Sequence, residues 1–235
     1  MNPSYVKAAL LQSENGYRYN QDSFILASFF RQKPCGLLAD FCAGTGVVSI
    51  LIGSQWPDLS IVALELHGSM AALAAKNAAA YGLGNYRVVK ADVMTAGRLF
   101  RGRPFSAIVS NPPYRKKGHG LLNQDRDKAM ARHELTMTLS GLVGGASCLL
   151  IPGGTLTISM IVSRREEYLA LLSSAGFSES RMRQIKFRPS SSAKVFLSEA
   201  VYQKKARLQE EAALIVDDGN GWSAEYREIA GRYGG

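Results

Sequence analysis

The sequence predicts an α/β domain with a mostly parallel sheet and helices on both faces. Three observations carry this. Short apolar runs of strand length at 37–42, 61–65, 86–90 and 107–109 alternate with helix-length segments, the pattern of strand–helix–strand crossovers. The first run, Leu37 to Cys42, enters a glycine turn, Ala43-Gly44-Thr45-Gly46, that opens an apolar helix over Val47–Ser54. The successive strand ends carry Asp40, Glu65, Asp92 and Asn111, at the carboxyl edge where open α/β sheets bind ligands.

The 235 residues suit one domain, 1–235, with 1–36 as an N-terminal loop and helix and 204–235 as a C-terminal extension. Hydrophobic residues are 46% of the chain, enough for a substantial core. No apolar run reaches the roughly 18 residues of a membrane span, and the first residues lack a basic stretch followed by an apolar one. No membrane association and a cytoplasmic location are therefore expected. Cys35, Cys42 and Cys148 have no metal-ligand spacing, so reduced thiols and no metal are expected. A net charge of +9 points to a polyanionic partner, nucleic acid before others.

Residues 16–30 read as a loop feeding a helix, with Asp22 or Ser23 as its cap. Asn20, Gln21 and Asp22 stand just before that helix, where they face a ligand or serve only as capping residues. In the glycine turn, Gly44 and Gly46 permit tight turning and close backbone approach. A dinucleotide fingerprint would want a third glycine where Ser49 stands. The Asp40-x-x-x-Gly44-x-Gly46 pattern instead suits S-adenosylmethionine, which has no pyrophosphate, with Asp40 near its ammonium. Ile61 to Glu65 is the second strand. Its terminal carboxylate, followed by Leu66, can hold both ribose hydroxyls. After an alanine-rich helix over 68–81 and a third strand at Tyr86–Lys90, Asp92 can accept the adenine amino hydrogens while the Val93 amide donates to the ring. Each acid also has an ordinary reading as a turn residue; their succession at strand ends is what argues for a site.

The fourth run, Ala107 to Val109, stops at Ser110-Asn111-Pro112-Pro113-Tyr114. The two prolines fix φ and donate no N–H, so strand pairing ends there, and each pushes its predecessor towards an extended conformation. A conjugated amine is a poor nucleophile because its lone pair is delocalised. The Asn111 amide oxygen and the Pro112 carbonyl can accept its two hydrogens and favour the pyramidal nitrogen that attacks an electrophilic methyl. Tyr114 can stack on a flipped base. The plain alternative is a proline-stiffened loop with a buried aromatic.

With those residues, the sequence resembles the class I S-adenosylmethionine-dependent methyltransferases of the Asn-Pro-Pro-Tyr amino-methylating group. The resemblance implies a Rossmann-like fold whose mostly parallel seven-stranded sheet has an antiparallel closing strand. Cys42 departs from the pattern, standing where the family often has the first glycine of its loop. A closer resemblance, over nearly the whole chain, is to the bacterial tRNA1(Val) adenine N6-methyltransferases. It rests on residues 16–27, on Asn111 to Tyr114 with Ala131-Arg132-His133-Glu134, and on Arg188-Pro189, Ala193-Lys194 and residues 212–216. It implies methylation of the adenine after the anticodon, with tRNA as partner. A monomer is the expected state.

Beyond the turn, Arg115, Lys116 and Lys117 in a basic loop are candidate RNA contacts, as are Lys186, Arg188 and Lys194 in a second loop. Either loop can also be a solvated charge run. His119 and His133 are given no catalytic role. A helix is expected from Ala129 through Leu149, then a turn at Ile151–Gly154 and a fifth strand at Thr155–Ile161. A helix at Arg164–Ala175 should end at Gly176. Two β stretches at 178–188 and 194–203 fit the closing antiparallel pair, and a β segment at Ala212–Val216 leads into an exposed tail.

Three other readings share parts of this pattern. The glutamine methyltransferases of peptide release factors share the Asn-Pro-Pro-Tyr turn, but they carry a helical N-terminal domain, and only 36 residues precede Leu37. Small rRNA or DNA amino-methyltransferases share the same turn. A catalytically inactive RNA-binding module would have no need of an amine-polarising turn.

Overall fold

In the computed structural model, residues 10–11, 21–31, 34–100, 102, 104–112 and 137–233 are described. The chain runs α1 (Gln21–Phe29), β1 (Leu37–Phe41), α2 (Val47–Gln55), β2 (Ile61–Glu65), α3 (Gly68–Ala80), β3 (Tyr86–Lys90), a 3-10 turn (Val93–Arg98) and β4 (Phe105–Ser110). It continues through α4 (Leu139–Leu149), β5 (Leu150–Ile161), α5 (Arg165–Ser174), β6 (Phe177–Lys186), β7 (Val195–Tyr202), β8 (Gln209–Ile215) and α6 (Ala224–Tyr233).

The strands form one sheet in the order β3-β2-β1-β4-β5-β7-β6-β8. β7 is antiparallel to both of its neighbours, and the remaining pairings are parallel. The antiparallel closing strand is therefore β7, as expected. The sheet has eight strands where seven were expected, because the 212–216 segment begins at Gln209 and pairs in parallel with β6.

Side chains alternate across the sheet, so the two faces bury different sets. One apolar cluster joins α1 (Ile25, Leu26, Phe29), α2 (Val48, Leu51, Ile52) and α6 (Tyr226, Ile229) to the sheet. The other joins α4 (Leu142, Val143, Ala146) and α5 (Tyr168, Leu172) to the opposite face. Each fully buried Leu, Ile or Phe contributes about 1.5–3 kcal/mol relative to exposure.

Three local expectations are corrected. The segment after β8 is not an exposed tail. It forms α6, capped by Ser223, whose Oγ accepts from the Tyr226 amide at 3.1 Å. Arg183 fastens it through two bonds to the Glu225 carboxylate at 2.7 and 2.8 Å. The helix expected over 129–149 begins at Leu139: Thr138 is extended (φ −102, ψ 154) and its side chain accepts from the Gly141 amide. Residues 129–136 lie outside the described residues. Ile151–Gly154 is a bulge inside β5, not a turn before it, since pairing jumps from Phe105–Leu150 to Ala107–Thr155.

α1 is pinned from below. The Arg181 guanidinium lies 3.9 Å over the Phe29 ring and donates to the Phe29 carbonyl. It sits between Glu199 at 3.6 Å and Glu211 at 3.5 Å. Burial lowers its pKa against the pull of both acids. Arg31, just past the helix, reaches the same Glu211 at 2.9 Å. α1 thereby lies fixed across β6, β7 and β8, with its first turn at the carboxyl edge.

Candidate active site

Strand order reverses between β1 and β4: β2 and β3 build outward from one, β5 from the other. Such a switch point opens a crevice at the carboxyl ends of the two strands. Ser110 at the end of β4 donates its hydroxyl to the Phe41 carbonyl at 2.7 Å, locking the two strand ends together.

On the β1 side the chain turns sharply. Cys42 (φ 59), Gly44 (φ 59) and Gly46 (φ 81) all lie in the left-handed region. That explains the resemblance's preference for glycine where Cys42 stands, because a Cβ is unfavourable at such a φ. The two glycines face different surroundings. A Cβ on Gly44 would meet nothing nearer than the Met70 methyl at 3.9 Å, so this side of the loop is open to a ligand. A Cβ on Gly46 would lie 2.6 Å from the Tyr86 hydroxyl and 3.0 Å from Ile50. The close approach at Gly46 is to the protein's own side chains.

Glu65 organises the loop from β2. Its Oε2 accepts from the Gly44 amide and its Oε1 from the His67 amide, both at 2.8 Å. The residue is buried, and each carboxylate oxygen keeps a further lone pair for a ligand hydroxyl. Leu66, beside it, is half-buried.

Asp40 lies beneath the loop and is buried. Its carboxylate accepts from the Ser49 hydroxyl at 2.5 Å, and that hydroxyl is 2.8 Å from the Tyr86 hydroxyl. Burial raises the Asp40 pKa to about 7 against the opposing Ser49 bonds, and the Glu65 charge adds to the rise. Burial likewise pushes the Cys42 thiol and the Tyr86 phenol up, so both stay neutral. Asp92 follows β3; its Oδ1 accepts from the Met94 amide at 2.9 Å and starts the 3-10 turn. Val93, next to it, is buried.

Across the crevice, Asn111 and Pro112 leave β4, half-buried and buried respectively. The Asn111 Nδ2 donates to the Ser23 hydroxyl at 3.3 Å. Ser23 is in the first turn of α1 and buried. Committing the amide's N–H side to Ser23 directs its oxygen elsewhere, in the sense needed to accept from an amine. Gln21 begins the same helix, and its Oε1 is 3.4 Å from the Tyr226 hydroxyl of α6. Pro113, Tyr114, Arg115, Lys116 and Lys117 lie outside the described residues, as do Arg132, His133 and Glu134.

β6 runs in the direction of β4, so Lys186 and Arg188 leave it at the same edge, and Lys194 enters β7 there. Arg188 and Lys194 are exposed, Lys186 half-buried. The structure thus gathers Asp40, Gly44, Glu65, Asp92 and Asn111 on one edge. It adds Ser23, Ser49, Tyr86 and Ser110, which sequence reasoning did not select. Only Ser23 has a signal, its place between Gln21-Asp22 and an apolar helix, which suits a cap equally well; it stands inside the first turn of α1 instead. Among the described residues no group of three or more His, Cys, Asp or Glu side chains could hold a metal, and no helix is long and apolar enough to cross a membrane.

Residues 17–183 match the family described as Methyltransferase small domain. A tRNA1(Val) (adenine(37)-N6)-methyltransferase of Porphyromonas gingivalis is 28% identical over 203 residues, 83% of this chain and 79% of that protein. The Tolumonas auensis protein of the same name is 25% identical and covers 94% and 92% of the two chains. Among solved structures, a predicted O-methyltransferase from Agrobacterium tumefaciens superposes with a TM-score of 0.70 at 20% identity, over 90% of this chain and 96% of that one. TrmN from Thermus thermophilus gives a TM-score of 0.55 at 22% identity, over 77% of this chain and 48% of the other.

Proposed function

Because this chain belongs to the methyltransferase small-domain family, we propose that it moves a methyl group from S-adenosylmethionine to the exocyclic N6 of an adenine in tRNA. Adenine 37 of tRNA1(Val) is the favoured target, the one in its relatives' names. The observation that carries this reading is Asn111, held by Ser23 at the end of β4 and facing the β1 glycine loop across the switch point.

The residues suit the cofactor. Gly44 leaves its ligand side open, Glu65 keeps lone pairs for ribose hydroxyls, and Asp40 supplies a carboxylate beneath the loop. Gln21, Leu66, Asp92 and Val93 are proposed to line the cofactor with them. Gly46 serves by admitting Tyr86, so its part in cofactor binding is indirect. S-adenosylmethionine supplies an electrophilic methyl that already carries its leaving group. The protein's task is then positioning. Asn111 Oδ1 and the Pro112 carbonyl accept the two amino hydrogens and aim the nitrogen lone pair at the methyl. Tyr114 stacks on the base, and Pro113 stiffens the turn. As the N–C bond forms, the nitrogen gains positive charge and its extra proton passes to water. No buried base is required.

The basic side chains Arg115, Lys116, Lys117, Lys186, Arg188 and Lys194 are proposed to hold phosphates around the target. A monomer and a cytoplasmic location are proposed with this reading. The test is incubation with labelled S-adenosylmethionine and, in parallel, unmodified total tRNA or a peptide release factor, followed by mass analysis of the digests. N6-methyladenosine is expected. Methylglutamine would replace the RNA reading while keeping the catalytic turn. Asn111→Ala should lose transfer by at least about 100-fold with cofactor affinity retained, measured by calorimetry. Residual turnover near wild type would remove Asn111 from the mechanism.

A further inference from the structure

The carboxyl edge bears two exposed aromatic side chains that the mechanism above does not use. Phe187 is 55% exposed and Trp222 is 53% exposed; among the described residues they are the large exposed aromatics. They are neighbours through one residue. The Asp217 amide donates to the Phe187 carbonyl at 2.7 Å, and Asp217 forms an antiparallel bridge with Trp222. Two strand spacings separate their backbones by about 10 Å.

Both rings are braced. Trp222 packs edge-on against buried Tyr226, with centroids 5.2 Å apart and planes at 90°. The Arg188 guanidinium lies 5.9 Å from the Phe187 ring centroid and its Nε is 3.6 Å from Asp217. Arg188 itself is fixed in a tight turn by reciprocal bonds with Ser191, at 3.0 and 2.8 Å. The Asp217 charge is met from two sides, by Arg188 and by the Gly219 amide at 2.8 Å, while exposed Asp218 in the same turn accepts from the Asn220 amide at 2.9 Å, so the cationic character belongs to the Phe187 side, where Arg188 and Lys194 stand. Phe187 lies three strands from the Asn111 turn along the same edge, about 14 Å away, and Trp222 two spacings further, about 24 Å.

We propose that Phe187 and Trp222 form a stacking platform for unpaired nucleotides flanking the methylated adenine, with Arg188 and Lys194 on their phosphates. This rests on the RNA-methylating reading. Every base offers a π-face, so such a platform selects single-stranded over paired RNA without reading sequence. Trp222 is already held against Tyr226, so little of its side-chain freedom is lost on binding. A protein-docking patch would gain nothing from the cationic rim that an RNA strand uses directly.

Trp222 supplies its own readout. With Trp56→Phe it becomes the sole tryptophan, and its emission is followed while an anticodon stem-loop or a fully paired RNA of equal length is added. Saturable quenching by the stem-loop and little by the duplex is expected. Phe187→Ala and Trp222→Ala should each weaken stem-loop binding about 5- to 100-fold. In methylation assays they should raise KM for tRNA with little change in kcat or cofactor affinity. Trp222→Phe should retain most of the affinity, which separates stacking from a folding defect. Unchanged emission at RNA concentrations that support methylation, or unchanged KM in both alanine variants, would overturn the platform. If no RNA is methylated, the proposed function fails by itself, and quenching still decides whether the platform binds unpaired RNA.

Discussion

A serine hydroxyl accepts from the Asn111 amide, and it comes from a residue 88 positions earlier. An amide can flip at little cost unless a neighbour distinguishes its two ends. If Ser23 makes that distinction, Ser23→Ala should lower kcat about tenfold, the worth of one hydrogen bond, without altering cofactor affinity. Ser23→Thr, which keeps the hydroxyl, should recover most of the loss. Equal damage to kcat and to cofactor binding would make Ser23 a residue of the fold alone. Asn111, Glu65, Asp92 and Asp40 were legible in the sequence because strand ends in an open α/β sheet are where polar residues face a crevice. Ser23 and Ser110 were not. Serine is common in loops and caps, and nothing local announces that a hydroxyl will meet a side chain or carbonyl from a distant strand.

The glycine turn shows how one motif can hold two different requirements. Gly44→Ala introduces a Cβ at φ 59 into open space, so its fold cost is the backbone term alone, about 1–2 kcal/mol. Its larger effect should be on cofactor affinity. Gly46→Ala meets the Tyr86 hydroxyl at 2.6 Å and Ala74 at 3.2 Å, and should cost about 2–4 kcal/mol of stability. Adding Tyr86→Phe, which removes the clashing oxygen, should restore part of that stability in urea titrations. Additive losses would mean that the hydroxyl is not what Gly46 makes room for. At this scale the parallel strands were readable from their apolar runs, while α6 was not. Its buried residues Tyr226, Ile229 and Ala230 follow helical spacing, but four charged residues share ten positions with them. The break at Thr138 was equally silent, since a threonine inside an apolar stretch gives no sign of turning its hydroxyl to cap a new helix.

The whole molecule carries a pH signature through Asp40. In the folded, cofactor-free protein this carboxyl keeps its proton up to about pH 7, whereas an aspartate in the unfolded chain loses it near about 4. Between those values the folded state binds more protons than the unfolded one, so stability falls as pH rises and levels off above about 7. Asp40→Asn should remove that component, a slope of up to about 1.4 kcal/mol per pH unit, seen by comparing denaturant midpoints at pH 5 and 7.5. An unchanged slope would place the titration elsewhere. Globally, the expectation of a mostly parallel sheet closed by one antiparallel strand was met. The β segment at 212–216 was expected, but its start at Gln209 and its place as an eighth strand were not, because acidic residues at its head (Glu210 and Glu211) look like surface. The clamping of α1 has a further consequence, in the timing of synthesis. A ribosome releases α1 long before it makes Arg181, Glu211 or Tyr226, the groups that fasten the helix from below and from the side. The parallel strands β1 to β4 can assemble, and α1 can pack against α2, while the helix still lacks these clamps. The hydroxyl that meets Asn111 is therefore clamped only after the last third of the chain has been translated, and a shorter nascent chain carries the motif beside a helix not yet fastened.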